Sequence, residues 1–375
     1  MKTVAKSSRV QIYPSKKVRD FFDLCFEARK TGWNSLLQMK INNYYKMKAN
    51  EYIGHCNYNT KLNLGKEFTR LKKTGKIDNR IDSRIKNYVI KDLQLTFKKF
   101  YKGISGFPRF KGDNCKLSYS TGQTIKTEGN RLIIPKCEPI RFRGRILNGD
   151  LKKVTITEKS GKYYATLFYL NVLTSQLPST NRLLAIDWGE KTFITTHNGG
   201  KFNPPLLKKK YDQLKRLRRR LSQKEKGSNN YNKLLVKIGR LYQKITNITN
   251  DWYHKNTTYL VNKYDKVAIE ALNYIYLHRE KKIGVSPIKK NQYKFGLWKQ
   301  LVQYKLTWYK ESDLIAVSSY HTSKKCSNCG FIYDDLKLSM RTWICPECES
   351  RHDRDINAGK NIYQLAFGTV GATEV

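Results

Sequence analysis

Four cysteines near the end of the chain have the spacing of a metal site. Cys326 and Cys329 form one Cys-x-x-Cys unit and Cys345 and Cys348 a second, with 15 residues between them. Two such pairs can close a tetrahedral zinc site with Zn–S bonds of about 2.3 Å. Protein would fill all four positions, so this Zn2+ is expected to be structural, folding a loop that lacks a core of its own. A redox pair fits less well, because both units lie in one short hydrophilic loop. Trp343 and Arg341 inside that loop could stack on a base or cover the metal. Directly beyond come Asp353 and Asp355, at the start of a helix expected from about Ile356 to Ala366. Two further carboxylates stand upstream, Asp187 after the apolar run Leu183–Ile186 and Glu270 at the end of Lys266–Glu270.

Cleavage of a phosphodiester with two metal ions needs several carboxylates on one wall, holding ions about 3.5–4 Å apart. Mg2+ takes oxygen ligands of this kind and keeps waters. Taken singly, an Asp near Gly189 is more often a turn residue, and a Glu after a strand a surface charge. Three carboxylates in topological order, followed by one zinc module, are more specific. Asp355 is preferred as the third, at the helix start where it could cap, with small Ala358 and Gly359 one turn on to let the backbone approach a sheet. Asp353 is the second choice. Asn357 could orient a carboxylate or a phosphate, or simply bond to backbone.

Positioning these groups requires a sheet and a closing helix. After Asp187, a second strand at Thr192–Thr196 turns at Asn198-Gly199, a favoured two-residue hairpin turn. Leu207, Tyr211, Leu214, Leu217 and Leu221 mark a helix, Gly227-Ser228-Asn229 breaks it, and Leu234, Ile238, Leu241, Ile245, Ile248 and Trp252 mark a second. The strand ending in Glu270 follows, then a helix with Phe295, Trp298, Leu301 and Trp308, a buried strand at Asp313–Ser319, the cysteine module and the last helix. This is the α/β element order of an RNase H-like fold, in which the first strand, the fourth strand and the last helix converge at one sheet edge.

The chain of 375 residues carries 73 Lys+Arg against 30 Asp+Glu, a net charge of +43, with 39% hydrophobic and 12% aromatic residues. So much like charge in a folded protein calls for a polyanion, and nucleic acid is the natural partner. Eight cations lie from Lys208 to Arg220, and Lys208, Lys209, Lys210, Arg216, Arg218, Arg219 and Arg220 are placed on the polar side of the first helix of the pair; such density favours a phosphate-facing role. Cys25, Cys56, Cys115 and Cys137 lack ligand spacing and are expected to be buried thiols. The N-terminus has no signal-peptide core and no apolar run spans a membrane, so a reducing intracellular setting is expected.

The N-terminal half reads differently. A strand at 8–13 ends at Pro14, and helical periodicity follows from about Lys17 (Phe21, Cys25, Ala28, Gly32, Leu36) and from Ser83 to Tyr101 (Ile85, Val89, Leu93, Phe97, Phe100). After Gly103 the segment Gly-Phe-Pro-Arg-Phe-Lys leads into strand-like runs. In the last of these Tyr164, Thr166, Phe168 and Leu170 form one face, and Lys159-Ser160-Gly161-Lys162 is a turn. A small antiparallel barrel or sheet is expected, completed by strand 8–13, with the helices as an insertion.

The segments Tyr-His-Thr-Ser-Lys-Lys-Cys-Ser-Asn-Cys-Gly, Cys-Pro-Glu-Cys and His-Asp-Arg-Asp-Ile-Asn-Ala-Gly-Lys-Asn-Ile strongly resemble the C-terminal block of TnpB (OrfB), a transposon-encoded family. Ala-Ile-Asp-Trp-Gly-Glu-Lys-Thr-Phe and Ala-Ile-Glu-Ala-Leu-Asn resemble its first and second RuvC motifs. Trp188 and Ala271 depart from its usual residues without removing a ligand. The resemblance implies an RNA-guided DNA endonuclease related to type V CRISPR effectors, with guide RNA and target double-stranded DNA as partners and no small-molecule substrate. It implies a wedge β-barrel (1–16 and 102–172), a helical recognition insertion (17–101), a linker (173–182), a RuvC nuclease (183–320 and 351–375) and a zinc insertion (321–350). Carried over, the Mg2+ ligands fall on Asp187, Glu270 and Asp355, and the zinc ligands on Cys326, Cys329, Cys345 and Cys348. Arg109 and Lys111 belong to the Phe-Pro-Arg-Phe-Lys segment that the family shares, and are candidates for nucleic-acid contact.

Overall fold

The computed structural model describes residues 2–48, 61–113, 115–122, 124–189, 191–271, 292–337 and 339–368. Two units are compact in themselves, one of Thr3–Leu173 and one from Thr174 onward.

In the first unit, β1 (Lys2–Tyr13) runs into α1 (Lys16–Lys48) across Pro14 and Ser15. Pro14 ends the strand because it has no N–H to pair, and the Ser15 hydroxyl accepts the Val18 N–H at 3.3 Å. Helices α2 (Lys61–Lys73) and α3 (Ile85–Tyr101) follow. Only Leu64, Phe68 and Leu71 mark α2 among its lysines, too few for its period to stand out in the sequence. The chain returns as β2 (Ser118–Thr121), β3 (Lys126–Glu128), β4 (Arg131–Ile133), β5 (Ile140–Arg143), β6 (Asp150–Lys159) and β7 (Lys162–Thr174). The seven strands lie in the order β2-β6-β7-β1-β5-β4-β3. Because β1 sits inside this order, the three helices interrupt one sheet, and they share its core. Phe22 and Phe26 of α1 meet Tyr119 of β2 at 5.8 and 6.0 Å between ring centroids.

One reading of this half is completed and one changes. Tyr164, Thr166, Phe168 and Leu170 do share a face of β7, but Ala165, Leu167 and Tyr169 face the core. Both faces of β7 are apolar, so alternation alone cannot say which is inside. Of the scattered cysteines, Cys25 is buried, and burial pushes its thiol up to about 12. Cys115 and Cys137 are only half-buried, and Cys56 lies outside the described residues.

In the second unit, β8 (Leu183–Trp188), β9 (Ile194–Thr196), β10 (Lys201–Phe202), β11 (Lys266–Glu270) and β12 (Leu314–Val317) form a sheet in the order β10-β9-β8-β11-β12. β8, β9 and β10 are antiparallel neighbours, whereas β8, β11 and β12 run parallel. Between and after them come α4 (Lys208–Ser222), α5 (Asn229–Lys263), α6 (Phe295–Tyr309), the short pair β13 (Thr342–Ile344) and β14 (Arg351–Asp353), and α7 (Arg354–Phe367). Counted from β8 the strand order is 3-2-1-4-5, as the element order leads one to expect.

Strand alternation sorts this sheet into two faces. Leu184, Ile186 and Trp188 of β8, with Val267 and Ile269 of β11, join the core that includes Tyr253, Trp298 and Val302 of α5 and α6. Trp188 meets Phe295 and Trp298 edge-on, each at 4.9 Å. Ala185 and Ala268 point the other way and pack with Ile362 of α7. The β9–β10 loop is longer than expected. Thr196 N–H donates to Gly200 O at 2.8 Å and Gly199 N–H to Thr196 O at 2.9 Å, leaving three loop residues, with Gly199 at φ +88°. Helices α4 and α5 pair through Leu214, Leu217 and Ile238. Ser228 caps α5 by accepting the Tyr231 N–H at 3.2 Å.

The polar segment before β8 is pinned. Asp265, just ahead of β11, accepts hydrogen bonds from the Ser179 hydroxyl (2.7 Å), the N–H groups of Thr180 (2.8 Å) and Asn181 (2.7 Å) and the Lys310 ammonium (2.6 Å). Burial acts to raise the Asp265 carboxyl, but these bonds outweigh it and hold the group well below its ordinary value. A depressed folded-state value gives stability that is present above the unfolded carboxylate range, around pH 4, and lost as pH falls below it. The Lys310 side chain is only 3% exposed. Asp265→Ala leaves that cation unpaired and is expected to destabilise the unit by about 3 kcal/mol. The variant should also lose part of the drop in thermal midpoint between pH 5 and pH 3, measured by circular dichroism.

Candidate metal and nuclease site

Asp187 is the fifth residue of β8 and Glu270 the last of β11. Ile186 pairs with Ile269 in parallel register, so the two carboxylates follow in step on neighbouring strands, each one residue beyond the paired isoleucines. Both lie on the Ala185/Ala268 side, towards α7. Exposure is 8% for Asp187 and 9% for Glu270. Burial, then the charges of Glu270 and Asp355, push the Asp187 carboxyl well above its usual range. Burial also raises Glu270, against a 2.9 Å hydrogen bond donated by the Thr322 hydroxyl.

The neighbouring acids Asp353 and Asp355 have different tasks. Asp353 is the N-cap of α7, taking the N–H groups of Asp355 (3.0 Å) and Ile356 (3.2 Å), while the Lys201 ammonium sits 2.8 Å from its other oxygen. Capping therefore falls to Asp353, not to Asp355. Asp355, in the first turn, acts electrostatically on Asp187 and lies 3.6 Å from the Arg341 guanidinium of the cysteine loop. Asp187 is thus within electrostatic reach of both Glu270 and Asp355. Like-charged, hard oxygen donors of this type suit a divalent cation of the Mg2+ kind.

Helix α7 can reach this edge because Gly359 lies against the loop after β9. A Cβ there would stand 3.0 Å from both Cα and N of His197. From the same helix, Asn357 donates to Lys325 O (2.7 Å) and accepts the Ser327 N–H (2.9 Å). Asn361 donates to Thr322 O (2.8 Å) and Lys325 O (2.6 Å), and Gln364 to Ser327 O (3.0 Å). Three polar residues one turn apart therefore clasp the stem of the cysteine loop. Asn357 bonds to backbone, the plainest of its three readings. Thr322, Arg341 and Asn361 were not legible as parts of the site, since each acts through a partner distant in sequence.

The four cysteine sulfurs lie within 4.8 Å of one another, a group of side chains that could hold a metal ion. Cys326 and Cys348 are 3.7 Å apart, Cys329 and Cys345 3.6 Å. A tetrahedral ion with bonds of about 2.3 Å needs edges of about 3.8 Å, so the set fits zinc. Trp343 is 4% exposed and packs on His352, 4.7 Å between centroids, so it covers the cluster.

Of the basic candidates, Lys208, Lys209, Arg216, Arg218, Arg219 and Arg220 lie exposed on α4, with Arg218 5.3 Å over the Tyr242 ring. Arg109 is exposed, its carbonyl taken by Trp33 Nε1 at 3.0 Å. Lys111 differs. Its ammonium is buried 4.1 Å over Trp33, and burial, with Arg29 nearby, brings it down to about 8. That group packs the fold and is not offered to phosphate.

Known proteins align with this arrangement. The family profile OrfB_IS605, described as "Probable transposase", matches residues 157–280, and the profile "Cas12f1-like, TNB domain" matches 295–362. The "Putative RNA-guided DNA endonuclease InsQ" of Escherichia coli K12 is 29% identical over 302 residues, 76% of this chain and 75% of that protein. A "Putative RNA-guided DNA endonuclease" of Streptomyces pristinaespiralis is 25% identical across 98% of this chain and 90% of its own. The solved Cas12f1–sgRNA–target DNA complex superposes with a TM-score of 0.59 at 14% identity, covering 96% of this chain and 98% of that one. The fold is α/β with a RuvC-like core. The chain is similar to proteins of the TnpB (OrfB) kind.

Two outcomes are expected here. Metal analysis of purified protein should find one zinc per chain, and Cys345→Ser should lose it together with the order of residues 322–353, read by proteolysis. Gly359→Ala should destabilise the second unit by about 1–3 kcal/mol, because backbone, not a flexible side chain, meets the new methyl.

Proposed function

We propose that this protein is an RNA-guided DNA endonuclease of a transposable element, cleaving DNA at a RuvC site formed by Asp187, Glu270 and Asp355. The observation that supports the reading is that Asp187 of β8 lies within electrostatic reach of Glu270 of β11 and Asp355 of α7, in a chain of net charge +43. The names of the relatives support the same activity. Guide RNA from the transposon end and target double-stranded DNA are the partners. Base pairing would read sequence, while the protein reads shape and a short flanking motif. No helix among the described residues is long and apolar enough to cross a membrane. The chain acts on DNA in the cytoplasm of its host cell.

Asp187, Glu270 and Asp355 would hold two Mg2+ ions. Bound Mg2+ supplies an activated water and stabilises the leaving oxygen of the phosphodiester. The protein's own part is to keep the acids oriented and partly dry; burial raises Asp187 and Glu270, so a bound cation would favour their ionised form. Thr322 fixes one oxygen of Glu270, and Arg341 places a cation beside Asp355, where a phosphate entering the site would meet it. Zinc at Cys326, Cys329, Cys345 and Cys348 would be structural and hold the loop that presents both residues. The exposed cations of α4 and Arg109 are assigned to nucleic-acid backbone. The wedge, recognition and zinc-insertion roles of 1–16 with 102–172, 17–101 and 321–350 belong to this same reading.

Asp187→Ala, assembled with guide RNA, is expected to bind target DNA with wild-type affinity and leave it uncut on gels. Equal cutting would refute the site, and guide-dependent binding without cutting by the unmodified protein would make it a binder that blocks transcription. Asp355→Ala should behave like Asp187→Ala. Asp353→Ala should still cut but lose about 1 kcal/mol of stability with its cap. Thr322→Val should raise the Mg2+ concentration for half-maximal cleavage about 10–100-fold, the usual effect of removing a group that orients a metal ligand. Thr322→Ser should restore it.

A further inference from the structure

A second site lies in the first unit, away from any carboxylate cluster. The ends of three adjacent strands place Tyr13 of β1 opposite Arg141 of β5, and Arg141 opposite Arg131 of β4. Two arginines directly opposed on a sheet repel each other. Both are exposed, and neither guanidinium has a carboxylate within ion-pairing distance among the described residues. Tyr13 beside them is 49% exposed, a large ring left uncovered. These three side chains, with Asn130 and Glu138, line a cavity of about 420 Å³. That volume falls within the range of small-ligand pockets and accommodates one nucleotide.

Each wall has a chemical use. Two unpaired guanidinium forks suit a phosphate, which would relieve their repulsion. The Tyr13 ring offers a stacking platform, and platforms of this kind take unpaired bases, since paired bases are stacked inside a duplex. Glu138 is ion-paired through one oxygen with Lys17, 3.6 Å away, and its other carboxylate oxygen is an acceptor for a donor on the ligand. A ribose 2′-hydroxyl or a base amine supplies one, and the hydroxyl is what separates RNA from DNA.

We propose that this cavity holds one unpaired ribonucleotide of an RNA strand, with its phosphate on Arg131 and Arg141, its base on Tyr13 and its sugar or base edge towards Glu138. The assignment rests on the RNA-binding part of the function proposed above and adds where one nucleotide is held. The test uses the full chain and an eight-nucleotide single-stranded RNA with a central 4-thiouridine. Photocrosslinking followed by peptide mapping should mark Tyr13 or the 130–141 segment. In fluorescence anisotropy with the same RNA, Tyr13→Ala and the pair Arg131→Gln/Arg141→Gln should each weaken binding about tenfold, within the range for one stacked base. Affinity for a blunt RNA duplex should stay within twofold for Tyr13→Ala, and thermal midpoints should match the unmodified protein. Wild-type binding by all variants, with crosslinks elsewhere, overturns the proposal and leaves the guided-nuclease reading intact. An equal loss on single-stranded DNA of the same sequence overturns the ribonucleotide assignment. Failure of the unmodified chain to bind any RNA removes the nuclease reading itself.

Discussion

The second unit depends on how closely one helix lies on one sheet. At Gly359, α7 comes so near the loop after β9 that a methyl would stand 3.0 Å from the His197 backbone. Ala185 and Ala268 keep the facing surface of β8 and β11 low, and Ala358 and Ile362 of α7 are buried there. Asp187 and Glu270 each follow these alanines by two residues, on the same side of the sheet. Small residues bring α7 down, and the same alternation aims the acids at its N-terminal turn. With a larger residue at any of these positions the helix would ride higher, and Asp355 would move out of electrostatic reach of Asp187.

The cysteine loop is fastened to that helix as well as to its metal ligands. Asn357, Asn361 and Gln364 bond to the backbone of Thr322, Lys325 and Ser327, while Thr322 passes a hydrogen bond to Glu270. Arg341 reaches Asp355 from the far end of the same loop. The cysteine cluster at this place therefore does more than fold a coreless loop. It sets the stem from which one carboxylate is oriented and the arm from which another receives a cation. The acids stay together against their own repulsion because burial, capping and these bonds hold them, which is the condition a divalent ion requires of its ligands.

The first unit meets the opposite problem, an excess of positive charge on an exposed sheet. Its strands bury Val10, Ile12, Ile140 and Phe142 and turn Arg141, Arg143 and Tyr13 outward. Unopposed guanidinium groups in register are tolerated where solvent or a polyanion covers them. Lys111 shows the alternative, a cation drawn in over Trp33 to complete packing.

Much of this was legible in the sequence alone. The cysteine spacing, two carboxylates at the ends of apolar runs and a third at a helix start, the order of strands and helices and the excess of cations are local patterns, each set by period, residue type or count. Even the need for Ala358 and Gly359 could be read, because small residues after a capping acid imply close packing. What only the tertiary structure decided are pairings between residues far apart in the chain. Asp353 and Asp355 differ by two positions, and their surroundings are set apart by Lys201, some 150 residues upstream, which bonds to Asp353. The inner face of β7, the inward turn of Lys111 and the bond from Thr322 to Glu270 are of the same kind. Local propensity reports what a residue is able to do; which partner it meets depends on chain folding that brings distant segments within hydrogen-bond reach.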